Sequence, residues 1–158
     1  MKTVRDFMRT DVVYFTPEDS VFDVATIFTR QEISGAPVVE NERVIGMVSI
    51  SDMIRFMSMK LADAEVISHE PQSLSMLLLN LVKMGKDFVD FKKELERISK
   101  VKIKDIMSRE VIYVVPDATL VEAASIMEKG DVNRLPVLHE GKLIGIITRS
   151  DLVKALID

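Results

Sequence analysis

Two short runs hold the residues best placed to do chemistry. They are Gly46-Met47-Val48-Ser49-Ile50-Ser51-Asp52 and Gly145-Ile146-Ile147-Thr148-Arg149-Ser150-Asp151. Each ends a β-type run and opens a helical one, so its hydroxyl residue and its aspartate sit at a helix start. Ser49 with Asp52, and Thr148 with Asp151, have the spacing of a capping box, which satisfies the orphan amides there. The same geometry suits a ligand. Free N–H groups and the positive dipole end of a helix attract an anion such as phosphate. An ionised aspartate, which only accepts hydrogen bonds, can grip both hydroxyls of a ribose while Ser or Thr contacts sugar or phosphate. The capping role and the binding role are compatible.

The sequence around these motifs repeats with them at an offset of 99 residues. Asp6, Met8, Pro17, Ala25, Pro37, Gly46 and Asp52 recur as Asp105, Met107, Pro116, Ala124, Pro136, Gly145 and Asp151. Each copy opens with a short helical signal, at Thr3 to Asp6 and at Lys102 to Asp105. Strands are expected at Val12 to Phe15 and Val111 to Val115, stopped by Pro17 and Pro116. Ser20 and Thr119 are N-caps for amphipathic helices ending near Arg30 and Gly130. Hairpins follow, Pro37 to Val39 with Val44 to Ser49 and Pro136 to Leu138 with Leu143 to Thr148, and then a last helix. The expected class is α/β (α+β), two β-α-β-β-α repeats packed on each other, because a copy of about 55 residues buries little apolar surface alone. The expected boundaries are repeat 1 at 1–60, a helical insertion at 61–100 and repeat 2 at 101–158. Within the insertion, Leu74, Leu77, Leu81, Met84, Phe88, Phe91, Leu95 and Ile98 alternate spacings of three and four, the pattern of a coiled-coil seam or a docked helix.

The two proline turns and the two glycine-to-aspartate motifs together resemble the cystathionine-β-synthase (CBS) domain family. The turns are Ile33-Ser34-Gly35-Ala36-Pro37-Val38-Val39 and Val132-Asn133-Arg134-Leu135-Pro136-Val137-Leu138. The resemblance covers about residues 3–59 and 102–157. It implies a Bateman module, a pseudo-twofold pair of domains that binds an adenosine compound (AMP, ADP, ATP or S-adenosylmethionine) in clefts between the repeats. It also implies a homodimer. Carried over by position, one cleft would combine Thr148, Arg149, Ser150 and the ribose-holding Asp151 with Thr16, Ile33, Ser34, Gly35 and Ala36. The other would combine Ser49, Ser51 and Asp52 with Val115, Val132, Asn133, Arg134 and Leu135. Each cleft then receives one arginine suited to phosphate, Arg149 or Arg134. Gly35 leaves room where its counterpart is Arg134.

Composition narrows the alternatives. A net charge of -4 and the absence of a dense Lys/Arg cluster argue against nucleic acid, and zero cysteines remove disulfides and thiolate chemistry. Charges at Lys2, Arg5 and Arg9 do not fit a secretion signal, and no apolar run approaches a membrane span. A cytoplasmic home is expected. His69 and His139 show no metal-ligand spacing and are expected at the surface, while Tyr14 and Tyr113 are expected in the core. With no nucleophile and base pair, no metal cluster and no Walker-type loop, a non-catalytic sensor is favoured over an enzyme. The competing reading is a structural dimerisation or protein-interaction module with vestigial clefts, acting through the central helix.

Overall fold

The computed structural model describes residues 1–63, Arg97 and residues 100–158. His69, the apolar seam Leu74 to Ile98 and the insertion from residue 64 to 96 lie outside the described residues. The described elements are α1 (Val4–Phe7), α2 (Val21–Gln31), β1 (Gly35–Glu40), β2 (Arg43–Ser49), α3 (Ile50–Asp63) and a 3-10 turn (Ile103–Asp105). They continue with α4 (Leu120–Gly130), β3 (Arg134–His139), β4 (Lys142–Thr148) and α5 (Arg149–Ala155). The fold is mixed α/β with an antiparallel sheet, in which the strands run β1-β2-β4-β3. Arg43 of β2 stands opposite Lys142 of β4.

Local chemistry explains the boundaries. Ser20 Oγ accepts from Asp23 N at 3.0 Å, and Thr119 Oγ1 accepts from Glu122 N at 3.1 Å, so α2 and α4 start where their caps stand. Both end on a residue in the left-handed region, Glu32 (φ 53°) and Asp131 (φ 51°). Positive φ at Asn41 and Glu42, and at Glu140 and Gly141, makes both hairpin tips type I′ turns, which match the twist of the strands they join.

The expected strands at Val12 to Phe15 and Val111 to Val115 shrink to single parallel bridges, Phe15 with Val38 and Val114 with Val137. Phe15 N donates to Pro37 O at 3.0 Å and Val39 N to Phe15 O at 2.7 Å; Val114 repeats this with Pro136 and Leu138. The next rung on one side would need an N–H from Pro17 or Pro116, and on the other from Pro37 or Pro136. None of these prolines has one. The alternation of an extended segment also overturns the expectation for the tyrosines. Phe15 and Val114 point inward at 4% and 3% exposure, so Tyr14 and Tyr113 point outward and are half exposed.

The chain divides into two compact units that do not follow the repeats. One comprises Met1–Thr16, Gly35–Met47 and Ser108–Asp158; the other comprises Pro17–Ser34 and Val48–Met107. In the first, Val4, Val114, Ala123, Met127, Leu135, Val137 and Ile147 form a buried cluster with Phe7, Met8 and Leu152 packed against it. Each large aliphatic side chain there contributes about 1.5–3 kcal/mol by leaving water. In the second, Val21, Val24, Phe28, Val48, Met53 and Ile103 are buried. There the front of α2 is tied to the 3-10 turn: Val21 N donates to Val101 O at 2.9 Å and Ile103 N to Asp19 O at 2.8 Å. Beside these bonds, Glu18 takes Lys102 Nζ at 2.6 Å and Lys104 Nζ at 2.9 Å. No helix among the described residues is long and apolar enough to cross a membrane.

Candidate functional site

Both aspartates are buried, Asp52 at 9% and Asp151 at 5% exposure, at the first turns of α3 and α5. Their capping boxes are complete. Asp151 Oδ2 accepts from Thr148 N and Thr148 Oγ1, both at 2.9 Å, and Thr148 Oγ1 accepts from Asp151 N at 3.2 Å. Asp52 Oδ2 accepts from Ser49 N at 2.8 Å and Ser49 Oγ at 3.1 Å, and Ser49 Oγ accepts from Asp52 N at 3.3 Å. A buried carboxylate also needs a counter-charge, and each has a guanidinium. Arg9 Nη2 lies 3.2 Å from Asp151 Oδ1, and Arg55 Nη1 lies 3.2 Å from Asp52 Oδ1. Neither arginine belongs to the motifs. Arg55 has a local signal, three residues beyond Asp52 on one helix face. Arg9 has none, since it comes from the other end of the chain.

The turns are bonded to the motif of their own repeat. Ile50 N donates to Ser34 O, and Arg149 N to Asn133 O, each at 3.0 Å. Arg149 Nε also donates to Val132 O at 3.2 Å. Arg134 is half-buried, and its guanidinium lies over Gly35, where a Cβ would come within 2.1 Å of Nη1. The room that glycine leaves is thus filled by the arginine from the equivalent position of the other repeat. Burial lowers the pKa of Arg134 from its ordinary value.

Of the residues expected around Asp151, the unit that contains it also holds Thr16, Gly35, Ala36, Thr148, Arg149 and Ser150, while Ile33 and Ser34 belong to the other. Of those expected around Asp52, Ser49 and Ser51 share its unit, whereas Val115, Val132, Asn133, Arg134 and Leu135 do not. Leu135 and Ala36 are fully buried, so only their backbones can serve a ligand. Thr16, Ser51, Ser150 and Val115 are exposed.

A cavity of about 460 Å³ opens beside Asp52, lined by Arg55, Phe56, Met59, Val101, Asp105 and Ile106. That volume lies within the range of small-molecule sites, and an apolar wall with a few charged groups is their usual lining. Asp52, Arg55, Phe56 and Met59 are spaced i, i+3, i+4 and i+7, one face of α3. That spacing is the signal by which the cavity could be anticipated; the glycine-to-aspartate motif reaches only its first member.

A family model described as "CBS domain" matches residues 4–59 and again residues 103–158. The chain belongs to the CBS domain family. It is a tandem CBS pair. An uncharacterized protein of Methanocaldococcus jannaschii is 36% identical over 156 residues, covering 98% of this CBS pair and 90% of the relative. CBS domain-containing protein CBSX2 of Arabidopsis thaliana is 29% identical over 157 residues, covering 97% of this chain and 63% of its own. A second uncharacterized M. jannaschii protein is 26% identical over 147 residues, covering 92% of this chain and 36% of its own length. Among solved structures, CBSX2 in complex with AMP superposes with a TM-score of 0.69 at 25% identity, covering 99% of this chain and 97% of that one. A CBS domain structure covering 100% of both chains has a TM-score of 0.71 at 24% identity, which supports the fold.

Proposed function

We propose that this CBS pair is a non-catalytic regulatory module that binds an adenosine compound, with Asp52 and Asp151 as the two ribose-holding carboxylates. The observation that carries the reading is the repeated one. Two equivalent aspartates are buried at helix starts, each paired with an arginine, and one stands on the wall of a cavity of ligand size. The AMP complex of CBSX2, a relative sharing the whole fold, supports AMP as the first ligand to test. ADP, ATP and S-adenosylmethionine follow as the rest of the class. Binding would be read by a partner or by self-association, since a ligand acts on a switch only through different affinities for its two states.

A cytoplasmic homodimer is the proposed form. Apolar side chains are exposed at equivalent positions of both repeats, Phe22 with Val121 and Ile54 with Val153, and such repeated exposure suits a second copy of the chain.

A thermal-shift panel tests the reading. A ligand at about 100 times its dissociation constant stabilises the folded state by about 2.7 kcal/mol. Selective stabilisation by AMP, ADP, ATP or S-adenosylmethionine over GTP is the expected result. A flat response at millimolar ligand would move the assignment to a dimerisation module.

A further inference from the structure

Asp52 and Asp151 are equivalent in sequence but not in what their oxygens have left to offer. Each carboxylate oxygen can accept about two hydrogen bonds. At Asp151, Oδ2 takes both Thr148 donors, and Oδ1 takes Arg9 Nη2 at 3.2 Å and Arg9 Nε at 3.3 Å. All four positions are engaged. At Asp52, Oδ2 likewise takes both Ser49 donors, but Oδ1 takes the single bond from Arg55 Nη1. Among the described residues one position stays open there, on a residue that lines the cavity.

Arg9 is held at Asp151 by the backbone. Arg9 N donates to Ile146 O, and Ile146 N to Arg9 O, both at 2.9 Å, which fastens the segment before Tyr14 along β4. Gly145 permits this approach, because a Cβ there would stand 2.7 Å from Met8 Sδ and 3.0 Å from Arg9 O. The second repeat makes the same bridge. Met47 N donates to Ser108 O at 2.9 Å and Ser108 N to Met47 O at 2.8 Å. Ser108 is the repeat equivalent of Arg9, so the two copies share the bridge, and only Asp151 receives a guanidinium from it.

Building on the adenosine reading, we propose that Arg9 is an internal competitor for the ribose diol at Asp151, a specificity-determining residue that makes Asp52 the first carboxylate to fill. A ribose can add to Asp52 beside Arg55, whereas at Asp151 it must displace the fork of Arg9. The guanidinium is free to leave, since its side chain is 57% exposed and its backbone bonds do not depend on it.

The test is calorimetric titration of AMP into the full chain in four forms: wild type, Arg9→Ala, Asp52→Asn, and the Asp52→Asn/Arg9→Ala double variant. Asp52→Asn isolates the Asp151 position while keeping an acceptor for the Ser49 amide. Removing Arg9 in that background should tighten AMP binding about tenfold, the effect of no longer breaking a charge-assisted bond. A gain in affinity is a readout that mere structural damage does not produce. If AMP binds the wild type and the double variant binds no tighter than Asp52→Asn, the competitor role is wrong and the adenosine reading stands. If neither wild type nor Arg9→Ala binds AMP at millimolar concentration, the adenosine reading fails and the competitor role falls with it.

Discussion

Replacing Asp52 or Asp151 by alanine removes two things at once, a helix cap and the proposed ribose contact. Loss of a cap costs about 0.5–2 kcal/mol, and loss of a charge-assisted contact weakens a ligand about ten- to a hundredfold. Asparagine separates them, because it still accepts from the Ser49 or Thr148 amide. Asp52→Asn should therefore melt closer to wild type than Asp52→Ala, while both lose AMP affinity by a similar factor; thermal melts beside calorimetry check this. Gly35 makes a second residue-scale prediction. Gly35→Ala must push the Arg134 guanidinium aside, so its cost should largely vanish in an Arg134→Ala background, giving a coupling of about 0.5–3 kcal/mol in a double-mutant cycle. The motif aspartates were legible because their hydroxyl partners lie three residues away and the pattern occurs twice. The ion pair of Arg9 and the place of Arg134 over Gly35 were not, because those contacts join residues distant in sequence and depend on glycines that let backbones and guanidiniums come close.

Elements were legible wherever one local signal decides them. Caps at Ser20 and Thr119, tips at Asn41 and Gly141 and the amphipathic faces of α2 and α4 all stand where their residues dictate. The first strand of each repeat is shorter than its hydrophobic pattern suggests. Hydrophobic patterning saw Val12 to Phe15 and Val111 to Val115, but a ladder needs donors from both chains, and prolines interrupt it on each side of a single bridge. The 3-10 turn before the second repeat offers a test of element docking. The two lysine ammonium groups of Lys102 and Lys104, hydrogen-bonded to Glu18, lower its pKa from 4.5 to about 2. A folded-state value below the unfolded one means the stabilisation is present above about pH 4.5 and is lost as pH falls toward 2. All three side chains are substantially exposed, so salt weakens the effect. Carboxyl NMR titration of Glu18 should give a midpoint near 2 in low salt, moving up in Lys102→Ala. Within the core cluster, Leu135→Ala should destabilise by about 2–5 kcal/mol in chemical unfolding.

This chain carries a tandem CBS pair whose duplication was visible in the sequence, whereas its division into compact units was not. Each unit draws on both repeats, and such exchange depends on contacts far apart in the chain. Duplication also explains how one carboxylate can be occupied by Arg9 and its equivalent left more open: after copying, each position is free to acquire its own partner. Light scattering should give twice the 17.8 kDa of one chain, and charged residues at Phe22 and Val121 should halve it. The most direct measurement of ribose binding at the two aspartates is calorimetric titration of AMP into wild type and into the Asp52→Asn/Asp151→Asn double variant. The wild type should bind, and the double variant should lose at least tenfold in affinity while remaining folded. Undiminished AMP binding by the folded double variant would contradict the assignment of these two aspartates as the ribose-holding groups.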